Sequence, residues 1–224
     1  MITNVKTINK SQVKTHTRMA TVSGVVLALL GPTLLVLLSN YLKLGFIGSE
    51  LFFWGLAIGI LALVRFWERR PLYSIGSKRF SLRDAGWAIV FAVALFLSFP
   101  LIYGTLIWLE VPVATEMFKA LGALPLPVLL LLALRAGVTE EILNRGFLIE
   151  RLLLLTNSKV VAVVLPLLIF IISHLAWGMA HLLFVTVGGV LLTILYFWKR
   201  NLWLNIICHF LVDISLFLLM PPLF

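Results

Sequence analysis

The sequence predicts an all-α fold, a polytopic transmembrane helical bundle of about seven spans. Hydrophobic residues make up 62% of the chain and charged residues 12%, and the mean hydropathy is +1.10, far from the composition of a water-soluble domain. A spanning helix needs about 20 mostly apolar residues, and the chain offers a succession of such runs with few or no charges. The basic residues between the runs fall almost entirely on one side, as they do in multi-pass membrane proteins.

The first span is Met19–Tyr41, behind a polar, basic N-terminus at residues 1–18. No small-residue cleavage site follows it, so a retained signal anchor is expected rather than a cleaved signal peptide. Phe46–Val64 and Ala85–Leu109 read as the second and third spans. A fourth begins at Leu124, runs to Ala133 and continues past Arg135. Val160–Trp198 is long enough for two spans joined by a tight turn near Trp177–His181, and Leu202–Leu219 supplies the last. Three regions result: a cytoplasmic N-terminus at 1–18, N-terminal transmembrane helices at 19–123, and a core at 124–224. Gly137 and Pro166 are the expected bend points.

The net charge of +9 raises a nucleic-acid reading that the distribution excludes. With the N-terminus in the cytoplasm, only Lys43 and Lys119 fall outside and Arg135 sits within a span, so topology accounts for the charge. The expectation is a multi-pass protein of the cell membrane, with lipid as a partner along Arg65–Arg83 and no nucleic acid. Trp177 and Trp198 read as interfacial aromatic anchors, His181 as an interfacial histidine, and Arg135 as snorkelling outward toward Glu110 or Glu116. Cys208 is the single cysteine. Its apolar neighbours mark a packing residue.

The ionisable residues of the second half carry the functional reading. Unpaired charge at bilayer depth costs roughly 3 kcal/mol on insertion scales, so such groups mark a functional site by default. In Gly137-Val-Thr-Glu140-Glu141-Ile-Leu-Asn-Arg145, Glu141 and Arg145 are at i and i+4 on one helical face and can pair. Glu140 then points about 100° away, free of that partner and available as a general base. His174 closes Phe170-Ile-Ile-Ser-His174, inside an otherwise almost wholly apolar run. His209 and Asp213, in His209-Phe-Leu-Val-Asp213, again share a face at i and i+4. Such a pair can orient a tautomer, bind a metal or relay protons.

These three motifs resemble the CPBP intramembrane proteases, which group CAAX prenyl proteases with bacteriocin-processing and Abi-type membrane proteins. The resemblance rests on Glu-Glu-x-x-x-Arg at Glu140–Arg145, Phe-x-x-x-His at Phe170–His174 and His-x-x-x-Asp at His209–Asp213, and it covers roughly Leu124–Met220. Gly188-Gly189 through Tyr196 and Lys199–Trp203 also look like the family's stretch before the last histidine. The resemblance implies an intramembrane endopeptidase acting on a peptide or protein substrate, either prenylated, carrying a leader peptide or membrane-associated. Glu140 and His174 would position and deprotonate a water. His209 and Asp213 would stabilise the oxyanion or orient the substrate. An ionised aspartate cannot donate to an oxyanion, so Asp213 either carries its proton or orients His209, which then donates alone.

The family has also been called metalloprotease, and Glu140, His174 and His209 would supply three ligands to a Zn2+ with one position left for water. The same residues would activate water without a metal, and no His-Glu-x-x-His signature is present. Two other classes use the same bundle: a proton-coupled transporter and a non-catalytic immunity or scaffold protein. Depth is the difficulty for the protease reading. With helix four entering outside at Leu124 and helix five inside at Val160, Glu140 falls nearer the cytoplasm and His174 nearer the exterior, unless helix four continues inward past Arg151 or helix five starts later.

Overall fold

The computed structural model describes residues 10–113 and 116–219, all helical or connecting. The N-terminal residues 1–9 and the last five, including Met220, lie outside the described residues, and with them part of the basic N-terminus. Helix α1 is Lys10–Tyr41 and α2 is Phe46–Ala62, extended by a π-helical turn at Leu63–Trp67. Helix α3, Leu82–Trp108, starts at a capping box in which Ser81 and Asp84 satisfy each other's backbone N–H groups, the arrangement that fixes a helix start. A short α4, Glu116–Gly122, precedes α5 at Leu126–Arg135. Two π-helical segments, Ala136–Glu140 and Ile142–Ile149, then carry the helix into α6, Glu150–Thr156. Three further helices follow: α7 (Lys159–Ile172), α8 (Met179–Lys199) and α9 (Leu202–Leu219).

Five of these segments are long and apolar enough to cross a membrane: Thr17–Tyr41, Phe46–Trp67, Leu82–Trp108, Met179–Lys199 and Leu202–Leu219. The continuous helix from Leu126 to Thr156 and the shorter apolar α7 complete a bundle of seven long elements, a multi-pass membrane architecture. Bulky side chains such as Leu30, Leu34, Leu101 and Val160 point outward, as they must where lipid rather than water is the solvent.

Two packed clusters sit side by side. In one, Val25, Ala28, Leu56 and Ile60 of α1–α2 close on Leu143, Phe147, Leu148 and Ile149 of the π-helical segment. In the other, Leu95, Phe99 and Tyr103 of α3 close on Phe184, Leu195, Leu204 and Cys208 of α8 and α9. Cys208 is fully buried in this second cluster. Gly137 sets how closely α9 approaches: a Cβ there would lie 3.0 Å from the Ile206 carbonyl oxygen and 3.1 Å from the Phe210 nitrogen.

The depth difficulty is resolved by helix length. Helix four does continue past Arg151, ending at Thr156, whereas α7 starts at Lys159 and has only 14 residues. At about 1.5 Å per residue that is roughly 21 Å, short of a roughly 30 Å hydrocarbon core. Glu140 lies 16 positions before Thr156 and His174 lies 15 after Lys159, so both stand at similar height above the same end of the bundle. The tight turn expected near Trp177–His181 begins earlier, at Ser173, passes through a 3₁₀ turn at Leu175–Trp177 and ends at Gly178, whose φ of +87° belongs to glycine, before α8 starts at Met179.

Candidate active site

Glu140, His174, His209 and Asp213, far apart in sequence, line a single cavity of about 350 Å³. Arg135, Trp177 and His181 line it too, and the rest of the wall is largely apolar, including Leu95, Phe170, Phe184 and Leu192. An apolar cavity with a few convergent polar groups is the usual form of a small binding or catalytic site.

Glu141 and Arg145 lie behind this wall. The Arg145 Nη1 donates to Glu141 Oε1 at 2.7 Å, with both side chains almost wholly buried, which is the i, i+4 pairing expected from the sequence. The carboxylate does more than pair. His209 Nδ1 lies 2.8 Å from the same oxygen, and Asn205 Nδ2 donates to Oε2 at 3.2 Å. A carboxylate accepts, so His209 donates through Nδ1–H, and its Nε2 is the nitrogen left for a substrate atom. Asp213 Oδ2 stands 3.6 Å from that Nε2, too far for a hydrogen bond but close enough for electrostatic complementarity. Arg145 Nη2 also donates to the Gly189 carbonyl at 3.3 Å, tying the pair to α8.

The Phe170–His174 spacing has a local physical reason. His174 Nδ1 is 2.7 Å from the Phe170 carbonyl oxygen, so it must donate there, and Nε2 is the ring nitrogen left for other partners. The Phe170 ring lies 4.9 Å from the His174 ring and 6.4 Å from that of His209. The Arg145 guanidinium sits over it at 4.6 Å, within cation–π range. Phe170 therefore packs against all three motifs.

Four expectations are corrected. Glu140 is not without a counter-charge: Arg135 Nη1 lies 3.2 Å from its Oε1. Arg135 does not reach toward Glu110 or Glu116 but spans Glu50 and Glu140, because the intervening π-helical turn rotates its side chain inward. His181 is not interfacial; it is buried at 9% exposure, its ring stacked on Trp177 at 4.6 Å and lying 5.8 Å from His174. Trp177 correspondingly lines the cavity, since the shortened α7 draws the connection inward. Trp198 is half-exposed, with Lys199 Nζ 3.6 Å from its ring centroid.

Asn205 and Glu50 belong to none of the three motifs. Both left a signal. Asn205, His209 and Asp213 recur every four residues along one face of α9, with Asn201 four positions earlier, just before the helix, and Glu50 is an acid inside a predicted span. As arranged, the residues do not fit a three-ligand zinc site. Among the described residues no group of three or more His, Cys, Asp or Glu side chains is placed to hold a metal ion. Glu140 is instead engaged by Arg135, while His174 and His209 use Nδ1 for the Phe170 carbonyl and Glu141.

Residues 122–215 match the family model described as Type II CAAX prenyl endopeptidase Rce1-like. The match spans all three motifs and agrees with the CPBP resemblance. No curated protein and no solved structure matches the chain.

Proposed function

We propose that this chain, a multi-pass membrane protein with a CAAX-protease-like segment at 122–215, is an intramembrane endopeptidase in which Glu140 and His174 activate a water. The observation that carries the reading is the convergence of Glu140, His174, His209 and Asp213 on one apolar-walled cavity. Nothing in a folding argument requires three motifs from three helices to share a void.

In this reading the Glu140 carboxylate removes a proton from a water held between it and the free Nε2 of His174. The resulting hydroxide adds to the peptide carbonyl carbon, and the carbonyl oxygen becomes an oxyanion. His209, with Nδ1–H fixed on Glu141, presents Nε2 toward that oxygen; protonated there, it donates, and the nearby Asp213 carboxylate balances its charge. The tetrahedral intermediate collapses as Glu140 returns its proton to the departing nitrogen, which breaks the C–N bond and leaves one new carboxyl and one new amine. Arg145 and Asn205 keep Glu141 in place and touch no substrate. The apolar wall suits a membrane-associated substrate segment, in keeping with a peptide or protein carrying a lipidated or hydrophobic sequence.

The test is cleavage of a panel of membrane-associated peptides, prenylated and unprenylated, by detergent-purified protein and its Glu140→Gln variant. Wild-type cleavage that disappears in the variant supports the reading. Equal cleavage by both removes Glu140 as the base, and cleavage by neither, with proton flux in proteoliposomes, favours the transporter class.

A further inference from the structure

Arg135, in the cavity wall, is held from behind by a charged residue outside the motif-bearing segment. Glu50 lies on α2, 85 positions from its partner Arg135, and both Glu50 oxygens accept from Arg135 Nε at 3.3 Å. The other end of the guanidinium, Nη1, meets Glu140 Oε1 at 3.2 Å. Phe53, one turn along α2, underlies the guanidinium at 4.8 Å. All three charged side chains are mostly buried, with exposures of 15–21%. Among the described residues Arg135 is the only Lys or Arg lining the cavity.

The backbone is shaped for this contact. Residues five apart point to different sides of a regular α-helix. In a π-helix, where hydrogen bonds run between residues five apart, they stack. The π-helical turn at Ala136–Glu140 lies between Arg135 and Glu140 and brings them onto one face. Its altered hydrogen bonding is supported by side chains: Thr139 Oγ1 donates to the Arg135 carbonyl at 2.8 Å and Asn144 Nδ2 to the Glu140 carbonyl at 2.9 Å.

Resting on the proposed role of Glu140, we infer that Glu50 and Arg135 are positioning residues for the base: Glu50 anchors the Arg135 guanidinium, which fixes Glu140 through Oε1 and leaves Oε2 to face the water. The triad carries one positive and two negative charges. With Glu50 present, Arg135 is shared between two carboxylates, so it orients Glu140 without neutralising the group. If Glu50 were absent, the guanidinium would close on Glu140 alone, as a tight pair that withholds the base. The N-terminal helices thereby take part in the chemistry, through α2.

The experiment compares kcat and KM for wild type, Glu50→Gln, Arg135→Gln and the double variant on a peptide that the wild type cleaves and Glu140→Gln does not. Melting temperature in detergent is recorded for each. Each single variant is expected to lower kcat about tenfold or more, the scale of effect of a misplaced catalytic group, with KM changed by less than about threefold. The double variant should be no slower than Arg135→Gln, because Glu50 acts only through Arg135. Glu50→Asp and Arg135→Lys, which keep the charges, should recover part of kcat and serve where a Gln variant does not fold. Unchanged kcat per folded molecule in the single variants overturns the inference while leaving Glu140 as the base, and so does multiplicative loss in the double variant. Retained cleavage in Glu140→Gln would fail the underlying reading instead.

Discussion

Replacing Arg145 by methionine removes the charge opposite Glu141 while keeping the length of the side chain. Glu141 is fully buried and would keep only the Asn205 and His209 contacts. Arg145 would also forfeit its bond to the Gly189 carbonyl and its place over the Phe170 ring. Breaking a buried ion pair by removing one partner costs about 3–5 kcal/mol. The two surviving hydrogen bonds place this case near the lower end, at about 3 kcal/mol. For a chain of this size 1 kcal/mol corresponds to roughly 2–4 °C, giving a drop of roughly 6–12 °C. The assay is thermal unfolding of the purified protein in one fixed detergent. The double variant Glu141→Gln, Arg145→Met removes both charges and keeps an acceptor for His209 Nδ1–H, so it should recover at least about half of the drop. Arg145→Met melting within about 2 °C of wild type would refute the reasoning, because the carboxylate would then have found other compensation.

Other expectations can be checked on the same preparation. Gly137→Val places a branched side chain against the backbone of Ile206 and Phe210 and should cost about 1–3 kcal/mol in melting experiments. Asn205→Leu leaves Glu141 Oε2 and the Leu192 carbonyl without their donor, and should destabilise by about 1–3 kcal/mol. His174→Gln should slow peptide cleavage about 10²–10⁴-fold, with little change in melting temperature. If Glu140 and His174 activate the water by themselves, as proposed, cleavage should survive treatment with a strong chelator followed by dialysis; its loss, restored by added Zn2+, would count against that.

The spans were legible because bilayer thickness imposes a length on apolar runs, and most observed boundaries lie within a few residues of those expected. The Glu141–Arg145 pair was legible because its four-residue spacing remains on one face. Arg135–Glu140 was not. Its five-residue spacing is unfavourable in an α-helix, and only the π-helical turn, which no composition rule signals, brings the two together. The shortness of α7 was hidden for a related reason: Val160–Trp198 is almost wholly apolar, and the helix ends at Ile172 directly before Ser173 and His174, whose side chains both bond the Phe170 carbonyl, a role that the apolar pattern does not signal. That early end carries Trp177 and His181 into the cavity. Asn205 was legible in principle from the four-residue polar stripe on α9, which stands out only when all of its members are read together.

The central claim is that water, activated by Glu140 and His174, attacks the peptide carbonyl directly. A single turnover in H₂¹⁸O with excess enzyme tests it, using a peptide that the wild type cleaves and Glu140→Gln does not. The account predicts one ¹⁸O in the new carboxyl group of the product and none in the Glu140 side chain. An unlabelled first-turnover product, with ¹⁸O found in Glu140 afterwards, would mean that the carboxylate itself is the nucleophile and would contradict the account.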